Sequence, residues 1–148
     1  MTETQVTPPA PRVDVRGPRF GAAVTTVVLV VVLATGSGWL LAAQAVVFAI
    51  GAAAGLRRAP YGLLFAHVVR PRLAPPTEFE DEAPPRFAQA VGLVFALVGA
   101  IGYLSGGTVL GIAATGLALA AAFLNAAFGY CLGCEMYLLA IRLRKRTA

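Results

Sequence analysis

Residues 20–56 read Phe20-GAAVTTVVLVVVLATGSGWLLAAQAVVFAIGAAAG-Leu56, without one charged side chain. As a single helix this 37-residue run would be about 55 Å long, against a bilayer core of about 30 Å. The run therefore folds back on itself, and Thr35-Gly36-Ser37-Gly38 supplies the turn. Trp39, just after it, suits an aromatic at a membrane–water boundary. A second charge-free run of 48 residues, Phe87–Cys134, is divided in the same way by Ser105-Gly106-Gly107-Thr108. These runs predict an all-α integral membrane protein of four transmembrane helices, over about 20–36, 39–56, 87–104 and 108–128.

Composition agrees. The 148 residues are 58% hydrophobic and 13% charged, and mean hydropathy is +0.76. Soluble domains carry roughly 25% charged residues, and a chain this apolar cannot cover one small core with polar surface. The formal net charge is +5. The basic residues lie in three blocks: Arg12–Arg19, Arg57–Arg86 and Arg142–Arg146. Both glycine turns are free of charge. Lys and Arg collect on the cytoplasmic side, so the partition predicts a cell-membrane protein with both termini cytoplasmic. It also accounts for the positive charge without nucleic acid. The partner expected first is the lipid bilayer. A cleaved signal peptide is not expected, because the apolar stretch is too long and no A-x-A site follows it.

A 12–141 membrane domain is expected between a disordered N-terminal tail, residues 1–11, and a basic cytoplasmic tail, residues 142–148. Within it the chain looks duplicated. Pro18-Arg19-Phe20 opens the first span and Pro85-Arg86-Phe87 the third, 67 residues later. The same offset pairs Asp14 with Asp81 and Gly62 with Gly129. Two helical hairpins entering the membrane in the same direction imply a pseudo-twofold along the membrane normal. Pro suits a first helical turn, Asp upstream suits the helix dipole, and Arg19 and Arg86 are placed to reach lipid phosphates. Gly51-x-x-x-Gly55, Gly102-x-x-x-Gly106, Gly107-x-x-x-Gly111 and Gly129-x-x-x-Gly133 permit close helix approach, within a bundle or in a homo-oligomer.

In the connector 57–86, Tyr61, Leu64, Phe65 and Val68 recur at helical spacing, between Pro60 and Pro71. A short interfacial helix is predicted there. Pro75-Pro76-Thr77-Glu78-Phe79-Glu80-Asp81-Glu82 reads as an extended acidic loop, a solvated tether or a docking surface for a basic partner. Polar residues within the spans include Thr25, Thr26, Gln44, Thr115 and Asn125, none of these ionisable. That disfavours a pump or ion-coupled transporter.

One motif can carry chemistry: Cys131-Leu132-Gly133-Cys134, followed by Glu135. If it ends the last helix, positions three apart share a face and the sulfurs can meet. Three readings stay open. Cys131 and Cys134 can be a dithiol for disulfide exchange or sulfur carriage, with Glu135 as the neighbouring acid. They can be small apolar side chains filling a helix interface. Or they can bind a metal, with Glu135 and His67 completing the set, since one C-x-x-C supplies only two ligands. His67 lies opposite Cys134 under the 67-residue offset. In a reducing cytoplasm a standing structural disulfide is not expected. No cofactor is expected, and enzyme and non-catalytic scaffold both remain open.

Asp14-x-Arg16-Gly17-Pro18-Arg19-Phe20, Val69-Arg70-Pro71, Ala83-Pro84-Pro85-Arg86-Phe87-Ala88-Gln89-Ala90-Val91-Gly92 and Cys131-Leu132-Gly133-Cys134-Glu135 occur in this order. Together they resemble the bacterial membrane family known as domain of unknown function 4395, over residues 12–141. The resemblance implies a small multi-span membrane protein of unassigned activity, with Cys131, Gly133, Cys134 and Glu135 matching a family signature. It also implies thioredoxin-like or rhodanese-like partners, and so thiol or sulfur chemistry.

Overall fold

The computed structural model describes residues 9–148. Residues 1–8, most of the tail expected to be disordered, lie outside the described residues. The order is β1 (Arg12–Asp14), α1 (Arg16–Thr35), α2 (Gly38–Ala54), α3 (Pro60–Leu64), β2 (Phe79–Asp81), α4 (Ala83–Leu104), α5 (Thr108–Phe128) and α6 (Leu132–Thr147). Between α3 and β2 the helix continues as a π turn, Phe65–Val69, and a 3-10 turn, Arg70–Arg72. Three helices, α1, α4 and α5, are long and apolar enough to cross a membrane. At 17 residues α2 is shorter.

Both glycine turns fall where the sequence places them. Gly36 takes a left-handed φ of 64° and closes α1, and Ser37 caps α2 by accepting the Leu40 N–H. Gly106, at φ 87°, closes the second hairpin. The helices begin earlier than the apolar runs, at Arg16 and Ala83, because the charged and proline-bearing first turns are already helical.

Packing is between hairpins as much as within them. α1 lies on α5, and α4 lies on α2 and α5. The buried centre is Leu29, Val32, Leu41, Phe48, Ala96 and Ala100. The approach is close: a Cβ on Gly102 would stand 2.7 Å from the Gly111 nitrogen, and one on Gly99 2.7 Å from Leu41 Cδ2. Backbone contact of this kind holds helices together where apolar burial gives no net drive, as in lipid. The outer surface is an apolar belt: Val27, Val46, Ile101, Val109 and Leu117 are each at least 60% exposed.

Arg19 and Arg86, expected to reach lipid phosphates, also bond helix ends within the bundle. Arg86 donates to the Ala52 and Ala53 carbonyls at the end of α2, both at 2.9 Å, and Arg19 donates to the Ala126 carbonyl of α5 at 3.3 Å. Each cation meets the negative end of the helix packed beside it. Buried Glu82 accepts the Leu56 N–H at 2.9 Å.

The ribbon was not foreseen. β1 and β2 pair antiparallel with Arg12 opposite Asp81, Val13 opposite Glu80 and Asp14 opposite Phe79. Pro11 extends it by accepting the Glu82 N–H at 3.0 Å. The stretch read as an extended acidic loop is therefore partly a strand, held over the ends of the helices. Asp14 accepts the Arg16 backbone N–H and its guanidinium at 3.0 and 2.8 Å, and that partner holds its carboxyl below the usual range.

Candidate functional site

The cysteine motif does not end the last long helix; it begins another. α5 stops at Phe128, where Gly129 (φ 68°) donates to Asn125 O and Tyr130 to Leu124 O. That is a left-handed glycine termination. The chain re-enters a helix at once, and extended Cys131 is the N-cap of α6. Its Sγ accepts the Cys134 N–H at 3.1 Å, the place a serine or aspartate oxygen usually takes. The segment expected as a tail, 142–148, continues α6 as far as Thr147.

Cys131 and Cys134 are joined by a disulfide, with Cα atoms 5.2 Å apart. The motif can approach α4 only because its third residue is glycine: a Cβ on Gly133 would sit 2.5 Å from Ala88 Cβ and 2.6 Å from Ala88 Cα. One turn on, Tyr137 meets Phe87, ring centroids 5.6 Å apart. The start of α6 is thus clamped to the start of α4.

Two cavities flank the disulfide. One, of about 300 Å³, holds Cys131 and Cys134 together with Arg19, Glu78, Glu80 and Asn125. The other, of about 270 Å³, runs between α4, α5 and α6 past Cys131, and its wall is mainly apolar. Glu80 is half-buried, and desolvation pushes its carboxyl above the ordinary range. With Glu78, it shares a cavity with both sulfurs. Glu135, expected in that role, is exposed in the first turn of α6 and lines neither cavity. His67 is exposed on the π turn and lines neither. Among the described residues no three His, Cys, Asp or Glu side chains form a metal-binding group, so Cys131, Cys134, Glu135 and His67 do not assemble as one.

Glu80 had a signal in the sequence. Glu78, Glu80 and Glu82 alternate, so in an extended chain they share one face. Glu78 and Glu80 line the disulfide cavity, and Glu82 holds the Leu56 amide. A hydropathy reading sees only a polar loop there.

A family model described as "Domain of unknown function (DUF4395)" matches residues 13–142. The chain belongs to this family. No curated protein and no solved structure matches it. The DUF4395 region opens inside β1 and closes inside α6, so it takes in both strands of the ribbon, the four long helices and the disulfide.

The raised carboxyl gives a pH prediction. Burial favours protonated Glu80, so its contribution to stability is full below the unfolded value and is lost as pH rises through the folded one. Glu80→Gln mimics the neutral form. In detergent, the variant is expected to melt close to the parent near pH 4 and above it by about pH 7. A difference that does not change with pH would contradict a desolvated carboxylate.

Proposed function

We propose that this DUF4395 protein spans the cell membrane four times with both termini in the cytoplasm, and that Cys131 and Cys134 are a reversible dithiol at its cytoplasmic face. The observation that carries the reading is the disulfide at the N-terminus of α6, in a cavity shared with Glu80. The partner is a thioredoxin-like or rhodanese-like protein exchanging electrons or sulfur.

The chemistry follows from position. In the reduced pair, the Cys134 N–H and the positive end of α6 favour a thiolate at Cys131. That thiolate attacks a partner disulfide, forming a Cys131–partner bond and releasing one partner thiolate. Glu80, as carboxylate, takes the Cys134 proton. The Cys134 thiolate then attacks Cys131 Sγ, closing the intramolecular disulfide and releasing the second partner thiolate. The reverse sequence reduces the pair.

The membrane reading is supported by the exposed apolar belt and by the confinement of every basic residue to one end of the hairpins. A duplication of two hairpins is supported by the ribbon. Arg12–Asp14 and Phe79–Asp81 are 67 apart and pair antiparallel about Val13 and Glu80, themselves 67 apart. Only a twofold relation makes equivalent strands self-complementary in this way.

Reporter fusions at Gly36 and Gly106 are expected to read outside, and those at Thr77 and Ala148 cytoplasmic; a cytoplasmic signal from either glycine turn overturns the topology. Incubating the oxidised protein with a reduced thioredoxin-like protein should open the disulfide, read as two added maleimide labels. A pair that stays closed would leave a non-catalytic scaffold as the better reading.

A further inference from the structure

Of the polar side chains within the apolar runs, some have partners. Thr26 and Thr115 donate to carbonyls four residues back, Ala22 and Gly111. Gln44 Oε1 accepts from the Tyr61 hydroxyl at 2.5 Å, while its Nε2 and the Tyr103 hydroxyl are buried without a partner among the described residues. Thr25, Gln89 and Asn125 make no side-chain hydrogen bond among the described residues, although Thr25 is only 4% exposed. An unpartnered hydroxyl inside a membrane domain is costly. All three line the 270 Å³ cavity that passes Cys131, so three open polar groups converge on the sulfur site.

The cavity has the anatomy of a site for a flat, lipophilic molecule: mainly apolar walls with a few placed polar groups. Phe48 and Phe95 supply aromatic faces. Along α4 it runs from Ala88 to Phe95, roughly 10 Å toward the middle of the apolar run. Leu117 and Met136, on its rim, are 61% and 51% exposed, so the rim is continuous with the apolar belt. The rim thus opens toward a molecule dissolved in the bilayer.

A disulfide at such a site needs a partner that moves two electrons and two protons. We infer that the cavity binds the ring of an isoprenoid quinone, which oxidises the Cys131–Cys134 dithiol; this rests on the dithiol reading above. Two S–H bonds break and one S–S bond forms. The quinone takes both electrons and both protons and leaves as the quinol. Thr25 and Asn125 hold the ring oxygens by hydrogen bonds, and Cys131, at the cavity wall, is the sulfur that meets the ring. Glu80 lies in the other cavity, on the aqueous side of the disulfide, where protons enter and leave.

The test uses the full-length reduced protein in nanodiscs, without oxygen, with decylubiquinone as probe and diamide, a water-soluble thiol oxidant, as control. Decylubiquinone is expected to close the disulfide with one quinol formed per protein. Thr25→Val and Asn125→Leu should each slow that reaction about tenfold, the loss of one good hydrogen bond, and leave oxidation by diamide unchanged. Oxidation by diamide alone would overturn the quinone site and keep the dithiol. Failure with both oxidants would overturn the dithiol reading, and the quinone site with it. A phospholipid held at one per protein that decylubiquinone does not displace would mark the cavity as a lipid site and overturn the inference.

Discussion

Serine in place of Cys131 is expected to reduce covalent exchange with any partner to background, while Cys134→Ser traps the partner as a stable mixed disulfide. The asymmetry comes from the helix start. Cys131 Sγ sits where the Cys134 N–H and the α6 dipole meet it, so the proposed mechanism makes Cys131 the attacking sulfur and Cys134 the resolving one. Serine is itself a preferred N-cap, so Cys131→Ser keeps the α6 terminus and removes only the sulfur. Loss of function can then be assigned to chemistry rather than to folding. Non-reducing gels of membranes from the two variants check this. Trapped adducts with Cys131→Ser and none with Cys134→Ser would reverse the assigned roles.

Gly133→Ala is expected to lift α6 from α4. The added carbon would stand 2.6 Å from Ala88 Cα, a backbone atom that cannot rotate away. Overpacking of this kind costs about 1–3 kcal/mol. Here the strain falls on the turn that carries both cysteines, so the variant should melt several degrees lower and also expose its disulfide to faster reduction. Gly116→Ala is the matched control. Gly116 lies inside α5 with nothing within 4 Å of the added carbon, so alanine should be neutral or slightly stabilising. Equal melting of the two variants would contradict the clamp between α6 and α4.

The long helices were legible because two independent signals coincide. Charge-free runs fix where apolar helix can lie, and Gly36 and Gly106 supply the positive φ that turns the chain back. Observed ends at Thr35, Leu104 and Phe128 fall within a residue of those read from sequence. The site was legible in its sulfurs and not in its surroundings. Gly129 was read as half of a small-residue pattern, while in the structure it ends α5 and lets Cys131 start a new helix. The ribbon is two strands of three residues each, too short for any periodicity to declare itself. That Glu78 and Glu80 share a cavity with the sulfurs follows only once the ribbon places β2 beside them. Glu135, next to the motif in sequence, is exposed in the first turn of α6.

The central claim is that Cys131–Cys134 is a reversible disulfide reachable from the cytoplasmic face. Labelling with a membrane-impermeant maleimide in inverted membrane vesicles, before and after dithiothreitol, tests it most directly. The expected result is no label on the untreated protein and two labels after reduction, with neither in right-side-out cells. Reduced protein that stays unlabelled in inverted vesicles, or that labels only from the outer face, would contradict the account.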